Sequence, residues 1–185
     1  HNNLGNLFKE QKRYQEAEAC YRTALTHQPN YAEAYSNLGK LFQQQKRYKE
    51  AEDFFQTALI HQPNSVEIYS NLGYLYQQQK CFKKAEDFFQ IGLSLQPDHA
   101  DIHNNLGYLF QQQKRYKEAE SAYQTALKLQ PDYAEGYNNL GLLFTEEKRY
   151  QEAEEAYQSA LKLQANFAEV HNNLGALFME QKRYH

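Results

Sequence analysis

Nothing in the chain is apolar for long enough to cross a membrane, since no run of its 185 residues approaches ~18 hydrophobic positions. Cysteine is scarce. Cys20 and Cys81 form no CxxC pair, so they are expected as free thiols in a reducing compartment, and the chain is expected to be cytoplasmic. Charge of one sign is also missing: the formal net charge is −3, which argues against non-specific nucleic-acid binding because that needs a basic surface. Tryptophan is absent, and there are four prolines. What is present is a hydrophobic content of 41% with 16 Tyr and 11 Phe, too apolar for a disordered chain.

The scarce residues are placed regularly. The prolines are Pro29, Pro63, Pro97 and Pro131, each 34 residues after the last. Gly5, Gly39, Gly73, Gly107, Gly141 and Gly175 keep the same interval, as do Ala17, Ala51, Ala85, Ala119 and Ala153. Such a period marks a repeat architecture. One array therefore spans residues 1–185: a trimmed repeat over 1–31, full repeats over 32–65, 66–99, 100–133 and 134–167, and a lone first helix over 168–185. Both ends read as cuts through the unit, so a longer parent array is expected.

Inside residues 32–65, Ala34, Leu38, Leu41 and Phe42 follow helical spacing with polar residues between them. Lys46 and Arg47 are expected to close this helix A, and Glu50 and Glu52 to open helix B, each suiting the dipole end it meets. Ala51, Phe55, Ala58 and Leu59 mark the second apolar stripe. Gln62-Pro63-Asn64 ends it, because the residue before proline leaves the helical region. Gly39 carries the ~1 kcal/mol penalty of a helical glycine, so it is expected to admit the Phe55 ring.

The pattern Tyr35, Leu38-Gly39, Phe42, Ala51, Phe55, Ala58, Pro63 resembles the tetratricopeptide repeat (TPR) family, and the likeness covers the whole chain. Departures are mild: His1, His103 and His171 take the first aromatic position, Gly92 replaces an Ala, and Ala165 replaces the last Pro. Where the family often has Gly in the A–B turn, Lys-Arg stands in five of six copies. The resemblance implies an all-α, right-handed superhelical solenoid of antiparallel helix hairpins. O-linked N-acetylglucosamine transferase-like and bacterial TPR arrays look similar.

No nucleophile–base pair or metal-ligand spacing is present, so no enzyme activity, metal or cofactor is expected; His27 and His61 merely share a repeat position. The resemblance implies instead a concave groove lined by the second, fifth, sixth, ninth, twelfth and thirteenth positions of each repeat. The sixth is always Asn, at Asn3, Asn37, Asn71, Asn105, Asn139 and Asn173. A carboxamide both donates and accepts, so this ladder suits a peptide backbone. Tyr74 and Tyr108 stand as stacking anchors. The second position is acidic, with Glu33, Glu67, Asp101, Glu135 and Glu169. The groove positions hold eight acids against Lys9 and Lys40, an excess of six negative charges. A scaffold that binds a neutral or basic peptide is the expected function, with no nucleic acid and no membrane. The substrate-recruiting arm of a larger enzyme such as a glycosyltransferase is the alternative. Weak self-association is expected through residues 170–185, where Leu174, Leu177 and Phe178 cover the preceding helix and the surface around Gly175 and Tyr184 lacks a following one.

Overall fold

Each repeat turns sharply at one left-handed residue. Lys12, Lys46, Lys80, Lys114 and Lys148 all sit at φ 58–61°, a conformation that normally favours glycine. The geometry is that of a Schellman-type cap. In the second repeat the Arg47 N–H donates to Phe42 O at 2.9 Å and the Lys46 N–H to Gln43 O at 2.9 Å. Lys46 thus lies just past the helix rather than in its last turn, and Arg47 is the N-cap of the helix that follows. The expectation that this pair closes helix A is corrected by one element.

The computed structural model describes residues 1–182, and among them every regular element is a helix. They form two units. In the first, His1–Pro97, α1 (Asn2–Glu10) pairs with α2 (Tyr14–His27), α3 (Ala32–Gln44) with α4 (Tyr48–His61), and α5 (Val66–Gln78) with α6 (Phe82–Leu95). In the second, Asp98–His185, α7 (Ala100–Gln112) pairs with α8 (Tyr116–Leu129) and α9 (Ala134–Glu146) with α10 (Tyr150–Leu163), and α11 (Ala168–Lys182) packs on α10. Within each unit the second helix of one pair also packs on the first helix of the next, burying the face a lone hairpin would expose. Among the described residues no helix is long and apolar enough to cross a membrane.

The core repeats with the sequence. Ala51, Phe55 and Ala58 are fully buried, as are Ala119, Tyr123 and Ala126. The small–large–small face has one consequence for helix A. A Cβ on Gly39 would lie 2.6 Å from Phe55 Cε1, and one on Gly107 2.5 Å from Tyr123 Cδ1. A methyl group has no room there, so glycine is required and the sequence reading holds. Above this layer Phe42 stacks on Phe54 at 5.2 Å, and Arg47 lies 4.0 Å over the Phe42 ring.

The lone α11 departs from expectation. Val170 and Leu177 are fully buried, Leu174 is half-buried, and Phe178 remains 40% exposed. At the same place in the repeats before it, Phe42, Tyr76, Phe110 and Phe144 are buried, and here α11 ends the described chain. Tyr184 lies outside the described residues.

Candidate functional site

The asparagines of the ladder first serve the protein itself. In the first unit, Asn37 Nδ2 donates to Asn2 Oδ1 at 3.0 Å, and Asn71 Nδ2 to Ser36 Oγ at 3.4 Å. In the second, Asn139 Nδ2 donates to Asn104 Oδ1 and Asn173 Nδ2 to Asn138 Oδ1, both at 3.0 Å. The partner is always the fifth position of the preceding repeat, 35 residues back. The carboxamide therefore ties one A helix to the next. Asn37 is buried, while Asn71, Asn105, Asn139 and Asn173 are half-buried. In Asn37, Asn71, Asn139 and Asn173 one N–H is spent on the neighbouring A helix, and the half-buried Asn71, Asn139 and Asn173 keep part of the carboxamide exposed.

Tyr74 and Tyr108, one helical turn further on, are 44% and 46% exposed. In the first unit Tyr74 joins Asn71, Lys9, Lys40, Gln43, Gln44 and Gln78 around a hollow of about 330 Å³. Gln43 Nε2 donates to Gln78 Oε1 at 3.0 Å across its floor. No acid lines this hollow. Burial, and next the Lys40 ammonium, hold the Lys9 amine below its ordinary pKa, while Glu10 opposes them. The acids gather in a neighbouring hollow of about 200 Å³, where Glu33 and Glu67 stand with Ser36, Ser65 and Gln62.

The acids are exposed but engaged. Glu33 accepts from Asn2 Nδ2 and from the Tyr31 hydroxyl, both at 2.8 Å, and the bond to Tyr31 raises that residue's pKa. Glu67 accepts from Lys40 Nζ at 2.6 Å. In the second unit burial, and then Asp101, raise the Tyr133 pKa. Glu135 is exposed on α9, and Glu146 accepts from Gln111 at 2.9 Å. The even acidic groove read from the sequence becomes, in the first unit, a basic amide-lined hollow beside an acidic one. Lys9 and Lys40, the two cations among the groove positions, line one hollow. The signal was their spacing: the twelfth position of one repeat and the ninth of the next share a face once A helices stand side by side. Gln43, Gln44 and Gln78 line the same place.

Among the described residues no three His, Cys, Asp or Glu side chains gather as metal ligands. His27 stacks on His1 and His61 on Tyr35, each at 5.5 Å, which gives these rings a packing role.

Comparison with known proteins adds the following. The family described as the Cilia and flagella-associated protein 70 C-terminal domain matches residues 1–185. No curated protein matches the chain. Among solved structures, a chain of the APC/C hetero-tetramer Cut9-Hcn1 superposes with a TM-score of 0.84 at 22% identity, over 97% of this chain and 36% of that one. A thermophilic TPR protein of Thermus thermophilus superposes with a TM-score of 0.84 at 20% identity, over 96% and 97%. YrrB, described as a TPR protein with an unusual peptide-binding site, does so with a TM-score of 0.64 at 22% identity, over 92% and 88%. At these identities the likeness shows the fold. This chain spans about a third of the Cut9-Hcn1 chain.

Proposed function

The chain belongs to the Cilia and flagella-associated protein 70 C-terminal domain family, and from that premise we propose that it is a TPR scaffold that holds a partner protein by an extended segment laid across its A helices. The observation that carries this is the hollow of the first unit. It offers an exposed ring at Tyr74, amide groups at Asn71, Gln43, Gln44 and Gln78, and an ammonium at Lys9 that makes no ion pair among the described residues. A peptide bond needs one donor and one acceptor within reach, and side-chain amides supply both. The neighbouring Glu33–Glu67 hollow sets the polarity. The bound segment is neutral or basic where it meets those carboxylates and turns a carbonyl or carboxylate oxygen toward Lys9. Asn105, Tyr108 and Asn139, with Asp101, Glu135 and Asn173, offer the second unit's version of the same face. Binding leaves the partner chemically unchanged. A cytoplasmic, cilium-associated setting fits both the family's description and the free thiols of Cys20 and Cys81. Nothing in the family match favours the arm of a glycosyltransferase.

The test is a peptide-array screen of the full chain, followed by affinity measurements on a selected peptide. Tyr74→Ala removes an exposed ring, so its stability should stay within about 0.5 kcal/mol of the parent. Its binding should fall about tenfold or more, as for an aromatic anchor. Undiminished binding at unchanged Tm would refute the groove reading. A second reading is favoured by α11: nothing lies within 4 Å of a Cβ built on Gly175, and Met179 is 66% exposed. This uncovered side is proposed to associate weakly with a second copy.

A further inference from the structure

Charge in the first unit is segregated onto one edge. Residues 1–97 hold eleven Lys and Arg and ten Asp and Glu. The three A–B turns, residues 11–16, 45–50 and 79–84, hold eight of those cations and only Glu16 and Glu50 of the acids. That is six positive charges in excess in a chain of net charge −3. The arginines among them are already committed. Arg13 is bonded to Glu16 and lies 4.3 Å over Phe8, and Arg47 is bonded to Glu50 and lies over Phe42. The lysines differ. Lys12, Lys46, Lys49, Lys80 and Lys84 are exposed and none makes an ion pair among the described residues, although Lys84 lies 4.7 Å over the Tyr76 ring.

Two further features lie on the same edge. Lys12, Lys46 and Lys80 hold positive φ, where glycine would be free of strain, so the backbone does not explain the side chain. The helices that start here, α2, α4 and α6, have no side-chain cap. Their first N–H groups point outward at the positive end of the helix dipole, which suits carboxylates.

We propose that this turn edge of the first unit is a docking surface, separate from the groove, for an extended acidic peptide rich in glutamate. The geometry sets a register. Neighbouring A helices joined by the Asn37–Asn2 bond stand about 10 Å apart, and an extended chain advances about 3.3 Å per residue. One carboxylate every third residue therefore meets each successive lysine. Nucleic acid fits less well. The basic edge is narrow, and the rest of the unit carries three cations against eight acids, within a Debye length (about 8 Å) of any bulky polyanion laid along it. A lipid surface fits less well too. None of the large exposed apolar side chains lies in these turns, where Tyr14, Tyr48 and Phe82 are half-buried, and interfacial binding needs an apolar insertion.

The probe is a fluorescein-labelled peptide of repeated Glu-Gly-Gly, titrated with the full chain by anisotropy at low and at physiological salt. The test variant is Lys46→Gly with Lys80→Gly. Glycine accepts the positive φ, so its Tm should equal or exceed the parent's, while affinity for the probe should fall about tenfold. Tyr74→Ala should leave this binding unchanged, which separates the edge from the groove. The proposal fails if the double variant keeps full affinity at undiminished Tm. It also fails if an oligo-dT strand or phosphatidylserine vesicles bind the chain more tightly than the glutamate probe.

Discussion

At the residue scale, five of the six glycines at the repeated Asn-Leu-Gly position face a ring where a methyl group would be. At Gly5, Gly39, Gly73, Gly107 and Gly141 a Cβ would meet a Tyr or Phe carbon at 2.5–2.6 Å; at Gly175 it would meet nothing within 4 Å. One substitution then has two signs. Gly107→Ala should destabilise by about 1–3 kcal/mol through overpacking, and Gly175→Ala should stabilise by about 0.5–1 kcal/mol as an exposed helical site. Thermal unfolding of both variants decides it, and equal effects would refute the ring-in-hollow account. A second residue-scale prediction concerns Gln77, 3% exposed, whose Nε2 and Oε1 both lack a hydrogen-bond partner. One repeat later the Tyr123 hydroxyl donates to Gln111 Oε1 at 2.9 Å, but Phe89 stands where that tyrosine would be. Phe89→Tyr should supply the missing donor and stabilise by about 1 kcal/mol, raising Tm by roughly 2–4 °C for a chain of this size. A lower Tm would show that Gln77 is satisfied in another way. The sequence held both residues in plain view, yet an unsatisfied amide shows only when the neighbouring ring is placed.

At the element scale, the helical hairpin was legible from apolar spacing, while its turn was not. Periodicity reports the faces of helices, and both flanks of the Lys-Arg pair are polar, so it cannot mark where one helix stops. The structure gives Lys46 the left-handed position and makes Arg47 an N-cap bonded to Glu50. That clamp recurs as Arg13–Glu16, Arg115–Glu118 and Arg149–Glu152. In each, the hydrogen bond from the guanidinium lowers the carboxyl pKa below 4.5. A carboxylate whose folded pKa is depressed adds stability above its unfolded pKa and loses it as pH falls through the folded value. Tm should therefore decline as pH falls below about 4.5, and less steeply in Glu50→Gln with Glu118→Gln. Screening by 1 M salt should shrink the difference, because these pairs are exposed. An identical decline in the double variant would show that the clamps do not contribute.

At the scale of the whole molecule, the period of 34 and the family match over residues 1–185 give one account of the fold. On α11, Phe178 and Met179 are exposed and nothing lies within 4 Å of a Cβ built on Gly175. Self-association through this side should be weak and concentration-dependent, and a closed two-fold pair is the simplest geometry. Sedimentation velocity should show a weight-average mass that rises with concentration, and Met179→Glu with Ala176→Glu should abolish the rise. A strictly monomeric parent at high concentration would remove the idea.

The sequence by itself determined the repeat, its helical faces, the glycine opposite the ring and the row of asparagines, because each is a matter of period and local chemistry. Only the tertiary structure decided what the asparagines do first and where the charges gather. Asn37 reaches Asn2, and Lys9 meets Lys40 and Tyr74, across separations of about one to two repeats. Such pairings depend on how one A helix is set against the next, and no residue carries that spacing alone.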